Sequence, residues 1–172
     1  ADTYALGIKK IKEQGLIVPY FANNLEARIQ QAEKNPDKKL NELNLWTNWL
    51  NSNCAICYNG QGKAKIIHNC EELTNIDPTH NSATIQSNYD KYIIDNINVF
   101  EIDLKDKKNK YEKDLTYDEI IKHKGWLALV QNNKELLKKY AKLTIDNLKD
   151  EKGIGMQFEI NTNAKEGELC VL

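Results

Sequence analysis

The stretch from Cys54 to Cys70 limits the fold more tightly than any other part of the chain. It reads Cys54-Ala55-Ile56-Cys57-Tyr58-Asn59-Gly60, then a short polar link, then Lys63-Ala64-Lys65-Ile66-Ile67-His68-Asn69-Cys70. Of the chain's 4 cysteines and 3 histidines, three thiols and one imidazole fall inside it. Two thiols at C-x-x-C spacing followed by a glycine curl round one metal ion, because the glycine lets the backbone turn its amides toward the sulfurs. The alternation over 64–70 predicts a strand that puts His68 and Cys70 on one face. Cys170 stands near the C-terminal end, so a site closed by it clamps that end to the middle of the chain.

The expectation drawn from this spacing is a structural zinc held by Cys54, Cys57, Cys70 and Cys170, with His68 as the alternative fourth ligand. Disulfides, a redox pair and ordinary buried thiols compete with it. A redox C-x-x-C pair usually follows a strand and opens a helix; here the pair follows a predicted helix and the polar link Asn51-Ser52-Asn53. Cys170 is preferred over His68 because it leaves no orphan thiol. A shell closed by four ligands has no open position, so the ion would be structural.

The 172 residues are enough for one domain, or for two small lobes with a boundary near 95–115. The 24 basic and 25 acidic residues nearly cancel and are interspersed. That balance gives no reason to expect nucleic acid or an anionic membrane as partner. No apolar run reaches the roughly 18 residues of a membrane helix. The chain starts at Ala1 already in a helical pattern, which reads as a fragment or processed product with any membrane segment upstream.

In chain order, Tyr4, Ile8 and Ile11 recur at i, i+4, i+7 and predict a helix over 2–14 ended by Gly15. A second helix is expected with Asn23 as N-cap and Glu26 at the third position. A third should start at Pro36 and run to Leu50 on Leu40, Leu43, Trp46 and Leu50. The Trp46/Trp49 pair reads as core, with a carbohydrate or partner platform as the sharper reading. A weak helix is expected over Ala83–Asp95, and a half-buried strand over Val99–Leu104. Thr116 and Glu119 form a capping box opening a short helix. Trp126–Val130 reads as strand or buried turn, and a strong helix runs from Asn133 to about Asp150. The last twenty residues predict a hairpin, Met156–Ile160 pairing with Leu169–Leu172. The fold class is therefore α+β: an N-terminal amphipathic helix, several further helices, and a small antiparallel sheet with a C-terminal hairpin.

Motifs of phosphate loops, serine hydrolases and zinc proteases are absent. Asp90, Glu101, Asp103 and Asp106 suggest a nuclease-like metal cluster only if one solvated strand face is ignored. A thiol enzyme with Cys54 or Cys57 as nucleophile and His68 or His80 as base lacks an orienting third group. The expectation is a protein that is not an enzyme.

The opening Ala1-Asp2-Thr3-Tyr4-Ala5-Leu6-Gly7-Ile8-Lys9-Lys10-Ile11-Lys12 resembles the soluble half of the first helix of type IV pilins. The resemblance covers about fifteen residues and implies a minor pilin of a Gram-positive bacterium, with an elaborated, helix-rich headgroup. It implies a structural subunit of an extracellular, cell-surface filament. Tyr4, Ile8 and Ile11 would belong to the filament-packing helix. The partners would be other filament subunits and host or surface ligands, and the chain would meet a membrane only through the missing N-terminal segment. An intracellular zinc-containing interaction module is the alternative.

Overall fold

A computed structural model describes residues 4–48, 50–79, 84–148 and 156–172. The fold is α+β, as expected: helices accompany a five-stranded sheet in which every pairing is antiparallel. The chain alternates between two compact units. One contains residues 1–21, 51–103 and 163–172, the other 22–50 and 104–162.

The first unit is built on the sheet. Its strands are β1 (Ala55–Tyr58), β2 (Lys63–Ile67), β3 (Thr84–Gln86), β4 (Val99–Asp103) and β5 (Glu168–Val171), in the spatial order β3-β5-β1-β2-β4. Residues opposite one another on antiparallel strands point to the same side of a sheet. One side therefore carries Ala55 and Cys57, Ile67 and Lys65, Leu169, Val99 and Glu101. The helix α1 (Tyr4–Glu13) covers it with Tyr4 and Ile8, joined by Val18, Cys70, Leu73, Tyr89 and Tyr92. Ile11, Ile76 and Ile85 complete that core at its margin. The other side carries Ile56, Tyr58, Ala64, Ile66, Phe100 and Ile102, all buried. Burial on both sides explains why β1 reads Ala-Ile-Cys-Tyr with no polar position. The edge strand β4 keeps the alternation that its central neighbours lack.

The first strand prediction needs correction at its end. β2 stops at Ile67, and His68-Asn69-Cys70 is a turn with Asn69 at φ 52°, so His68 and Cys70 do not share a strand face. Nor does the C-terminal hairpin form as expected. β5 pairs with β1 and β3, while Met156 makes only an isolated bridge to Leu115. The expected helix over Ala83–Asp95 is replaced by β3 and a 3-10 turn, Tyr89–Lys91, where the described residues begin again at Thr84.

The second unit is helical. It holds most of α2 (Phe21–Glu33), then α3 (Asn44–Thr47), α5 (Tyr117–Ile120), α6 (Lys124–Leu129) and α7 (Lys134–Leu148); α4 (Glu71–Thr74) belongs with the sheet. Asn23 lies inside α2 instead of capping it. The helix expected from Pro36 to Leu50 is reduced to a 3-10 turn at Leu40–Glu42 and the single turn of α3. Trp126–Leu129, expected as strand or turn, is helix. The Thr116 capping box holds: its hydroxyl accepts from the Glu119 amide, and the Glu119 carboxylate accepts from the Thr116 N–H at 2.9 Å.

Arg28 ties this unit together. Its guanidinium donates to Leu45 O at 2.7 Å, Asn48 O at 3.1 Å and Tyr140 Oη at 3.0 Å. Trp46 returns a bond from Nε1 to Arg28 O at 2.9 Å and stacks on Tyr140 at 5.3 Å. Trp46 is half-buried against Tyr140 and so falls short of the core position expected of it, while Trp49, Asp2 and the helix end near Asp150 lie outside the described residues. His123 caps α6 through Nδ1, which accepts from the Gly125 and Trp126 amides at 3.1 and 3.3 Å. Its Nε2 then carries the proton and donates to Lys110 O at 3.0 Å. Burial lowers its pKa, which suits this neutral tautomer.

Candidate functional site

β1 and the turn after β2 set the positions of the thiols. Cys57 lies mid-strand against Leu169 and Lys65, facing the α1 side. Cys70 joins it in that apolar core from the turn that opens α4. Cys54, just ahead of β1, is fully buried, and its carbonyl accepts from Leu172 N at 2.8 Å. Cys170 follows Leu169 by one residue, so pleat alternation turns it to the opposite side from Cys57. There its thiol meets the Thr84 hydroxyl at 3.5 Å. All four cysteines are free thiols.

Burial raises the pKa of each thiol, with smaller contributions from neighbours. Cys54 is pushed well above its ordinary range, with Cys70 adding to the shift. Cys57 rises from 9.0 to about 11; Lys65 and Lys91 oppose the rise and Cys170 adds to it. Cys70 and Cys170 also rise, chiefly by burial. Thiols in this state are protonated at neutral pH and poor nucleophiles.

Among the described residues no three His, Cys, Asp or Glu side chains form a group that could hold a metal ion. Cys70 is within electrostatic reach of both Cys54 and Cys57, and Cys170, though turned to the other side of the sheet, is within reach of Cys57. His68 stays apart as well. Its ring lies between Tyr20, stacked at 6.3 Å, and the edge of Phe100 at 6.0 Å. His80 lies outside the described residues. The acidic quartet does not gather either. Glu101 is bonded to Lys63 and Tyr89, while Asp106 binds the Lys108 amide and Asn109 in the helical unit.

The most polar feature of the sheet core is a row that alternation alone conceals. Cys57, Lys65 and Glu101 stand opposite one another on β1, β2 and β4. Lys65 is only 6 % exposed. Its ammonium donates to Tyr89 O at 3.0 Å and sits 4.1 Å from the Tyr89 ring centroid. Tyr89 Oη donates to Glu101 Oε2 at 2.9 Å, and Lys63 Nζ reaches Glu101 Oε1 at the same distance. The Lys63 bond is the main reason that the Glu101 pKa is lowered. A lysine in Lys-Ala-Lys-Ile-Ile reads as solvent-facing, and only burial of both faces of the sheet reveals otherwise. The row neutralises a buried cation beside Cys57; it has the parts of a structural network.

The ends of the chain converge on the same region. Tyr4 Oη donates to Ser52 O at 3.0 Å, and Ser52 Oγ donates to Leu172 O at 2.8 Å. One hydrogen-bonded path thus joins the first helix, the residue before the thiols and the last strand. Burial raises the Tyr4 pKa, with Cys70 and Cys54 adding, so its hydroxyl stays a donor across the ordinary pH range. No described helix is long and apolar enough to cross a membrane. No family model, curated protein or solved structure matches the chain.

Proposed function

We propose that this chain is a structural protein, the head of a subunit of an extracellular, cell-surface filament of the type IV pilin kind. The observation that supports the reading most is the placement of α1. A ten-residue helix lays Tyr4, Ala5 and Ile8 into a core formed with an antiparallel sheet, and its Tyr4 is bonded to the segment that leads into the central strand. Such a seat gives an upstream helical extension a rigid head to carry. Tyr4, Ile8 and Ile11 then act inward, fixing the helix to its head, and subunit contacts fall to residues upstream. The protonated, enclosed thiols and the satisfied Lys65 network also favour a structural role over a thiol-based reaction.

The test is immunogold labelling of intact cells with antibody raised against this chain, beside the sequence encoded directly ahead of Ala1. Labelled filaments, with an apolar helical segment upstream, are the expected result. Label confined to the cytoplasm overturns the reading and favours the intracellular interaction module.

A structural zinc is the second reading, supported by the coupling of Cys54 and Cys57 to Cys70. These three thiols would hold the ion, and a fourth ligand, Cys170 or His68, would have to turn toward them. Bound zinc would lock the middle of the chain, and part of its binding energy would become folding energy. Metal analysis of protein purified without chelator decides it. One zinc per chain sustains this reading; no metal, with all four thiols released by denaturant alone, leaves the buried thiols as plain core.

A further inference from the structure

The turn between β1 and β2 holds the pair Asn59-Gly60, and Asn59 is the only asparagine in the chain followed by glycine. Asn59 is half-buried and Gly60 is exposed. The Asn59 amide donates to Lys63 O at 3.0 Å and closes the turn. Its side-chain Oδ1 accepts from two backbone amides, Gln61 N at 2.8 Å and Lys63 N at 2.9 Å. The first of these bonds makes an Asx turn, and the second ties the side chain to the head of β2. The carbonyl at Cγ is therefore held in one orientation and polarised by two donors. Among the described residues Gly60 N donates to no acceptor. Gly60, at φ 71°, has no Cβ to hinder that nitrogen.

We propose that Asn59 is a self-modification site, at which the Gly60 nitrogen converts the side-chain amide into aspartate and isoaspartate. Gly60 N gives its proton to water and bonds to Asn59 Cγ, closing a small ring within one chain. The electron pair of the Cγ–Oδ1 double bond moves onto Oδ1, where the Gln61 and Lys63 amides already donate, as in an oxyanion hole. The pair returns, the Cγ–Nδ2 bond breaks, and Nδ2 takes a proton from water and leaves as ammonia. Water then opens the cyclic imide. Opening at Cγ yields aspartate; opening at the main-chain carbonyl yields isoaspartate, whose backbone is longer by one methylene. The net change is one water taken up and one ammonia released, with no oxidant or reductant.

The two products fit the turn differently. Aspartate keeps an oxygen where Oδ1 stood, so the same two amides can donate to it. Isoaspartate lengthens the chain beside Gly60, where there is no room: a Cβ built on Gly60 would lie 2.8 Å from Glu166 N. The neighbouring Tyr58 O accepts from Gly167 N at 2.9 Å, just ahead of β5. Isoaspartate at this position therefore loosens the contact that seats β5. None of this depends on the filament reading.

The experiment ages the full chain in neutral buffer, folded and in guanidinium chloride. Each asparagine is followed by peptide mass spectrometry, and isoaspartate is scored by enzymatic methylation. Cleavage at lysine releases Leu40–Lys63, whose other asparagines serve as internal standards. In the folded chain Asn59 should lose its amide about tenfold faster than any other asparagine. It should also react at least as fast as in denaturant, because the two amides are aligned only in the folded turn. Retention of the Asn59 amide overturns the proposal. So does loss in denaturant alone, or a folded rate no greater than that of the other asparagines. The isoaspartate form, separated from the aged sample, should melt below the parent; equal melting overturns the loosening of β5.

Discussion

The two units differ in where they keep the polar side chains of their interiors. The helical unit places two of its polar side chains, the buried His123 and the half-buried Arg28, where helix geometry leaves backbone groups unmet. His123 satisfies the first amides of α6, and Arg28 satisfies the carbonyls around α3. The sheet unit uses Ser52 and Asn53 in that way only ahead of β1 and at its centre carries polar side chains in a lateral row, Cys57–Lys65–Glu101, closed by Tyr89. In the first case the polar group substitutes for the missing turn of helix. In the second it must be satisfied by its own neighbours. Truncating a capping group should therefore act locally, whereas disturbing the row or its strand order should affect the whole sheet.

The strongest way to break the comparison is Gly167→Ala. Gly167 stands at φ 77°, donates to Tyr58 O at 2.9 Å and accepts from Ser87 N at 2.7 Å, so it joins β5 to β1 and β3. A Cβ there collides with Ser87 O on top of the backbone strain. We expect a loss of about 3 kcal/mol in denaturant unfolding. Hydrogen exchange should show protection lost across β1, β3 and β5; an unchanged midpoint would mean that β5 is not held as described.

Gly125→Ala is the counterpart in the helical unit. Alanine in a helix ordinarily gains up to about 1 kcal/mol over glycine. Here the new Cβ would lie 2.6 Å from the Phe158 ring, which itself stacks on His123 at 5.4 Å. Overpacking should win, for a net cost of about 2 kcal/mol. A stabilised variant would show that Phe158 is free to yield.

Tyr4→Phe removes one buried hydrogen bond to Ser52 O and leaves the ring in its apolar seat. A loss of about 1 kcal/mol is expected from thermal melts. Equal stability would mean that water replaces the phenol.

The smallest effect separates the units by pH. All four cysteines belong to the sheet unit, and the Cys57 thiol is raised from 9.0 to about 11. A raised pKa contributes stability that is whole below the unfolded value and is lost as pH climbs through the folded one. The sheet unit should therefore weaken between about pH 9 and 11, as unfolded thiols ionise before folded ones. Cys57→Ala should shallow that slope in a pH series of melts, and a parallel slope would assign the loss to other groups.

The sequence made local signals legible where a chemical rule fixes one geometry. Thr116 with Glu119 gave a cap, and Tyr4, Ile8 and Ile11 gave a face. Gly15, at φ 69°, gave a helix end. It was less informative wherever distant pairing decides. Nothing in Met156–Ile160 distinguishes a strand that pairs with β5 from a segment that bridges Leu115, because both bury Met156 and Phe158. The C-x-x-C spacing suggested that Cys54 and Cys57 lie together, but Cys57 sits within the extended strand β1, which holds residues three apart away from each other, and the side to which Cys170 points depends on register with Leu169. Register depends on Gly167 and the strands on either side. Lys65 stayed hidden because alternation assumes one wet face, and β2 is buried on both faces beyond Lys63.

The bond from Ser52 to Leu172 spans 120 positions. During synthesis, β1 emerges long before the strand that will lie between it and β3. Until β5 leaves the ribosome, the edge of β1 that it covers stays open. Folding of the sheet must then wait for a late, long-range closure, a slow step in which the nascent chain is exposed to wrong pairing. A cell making this protein would need to guard that edge during translation more than at any later time.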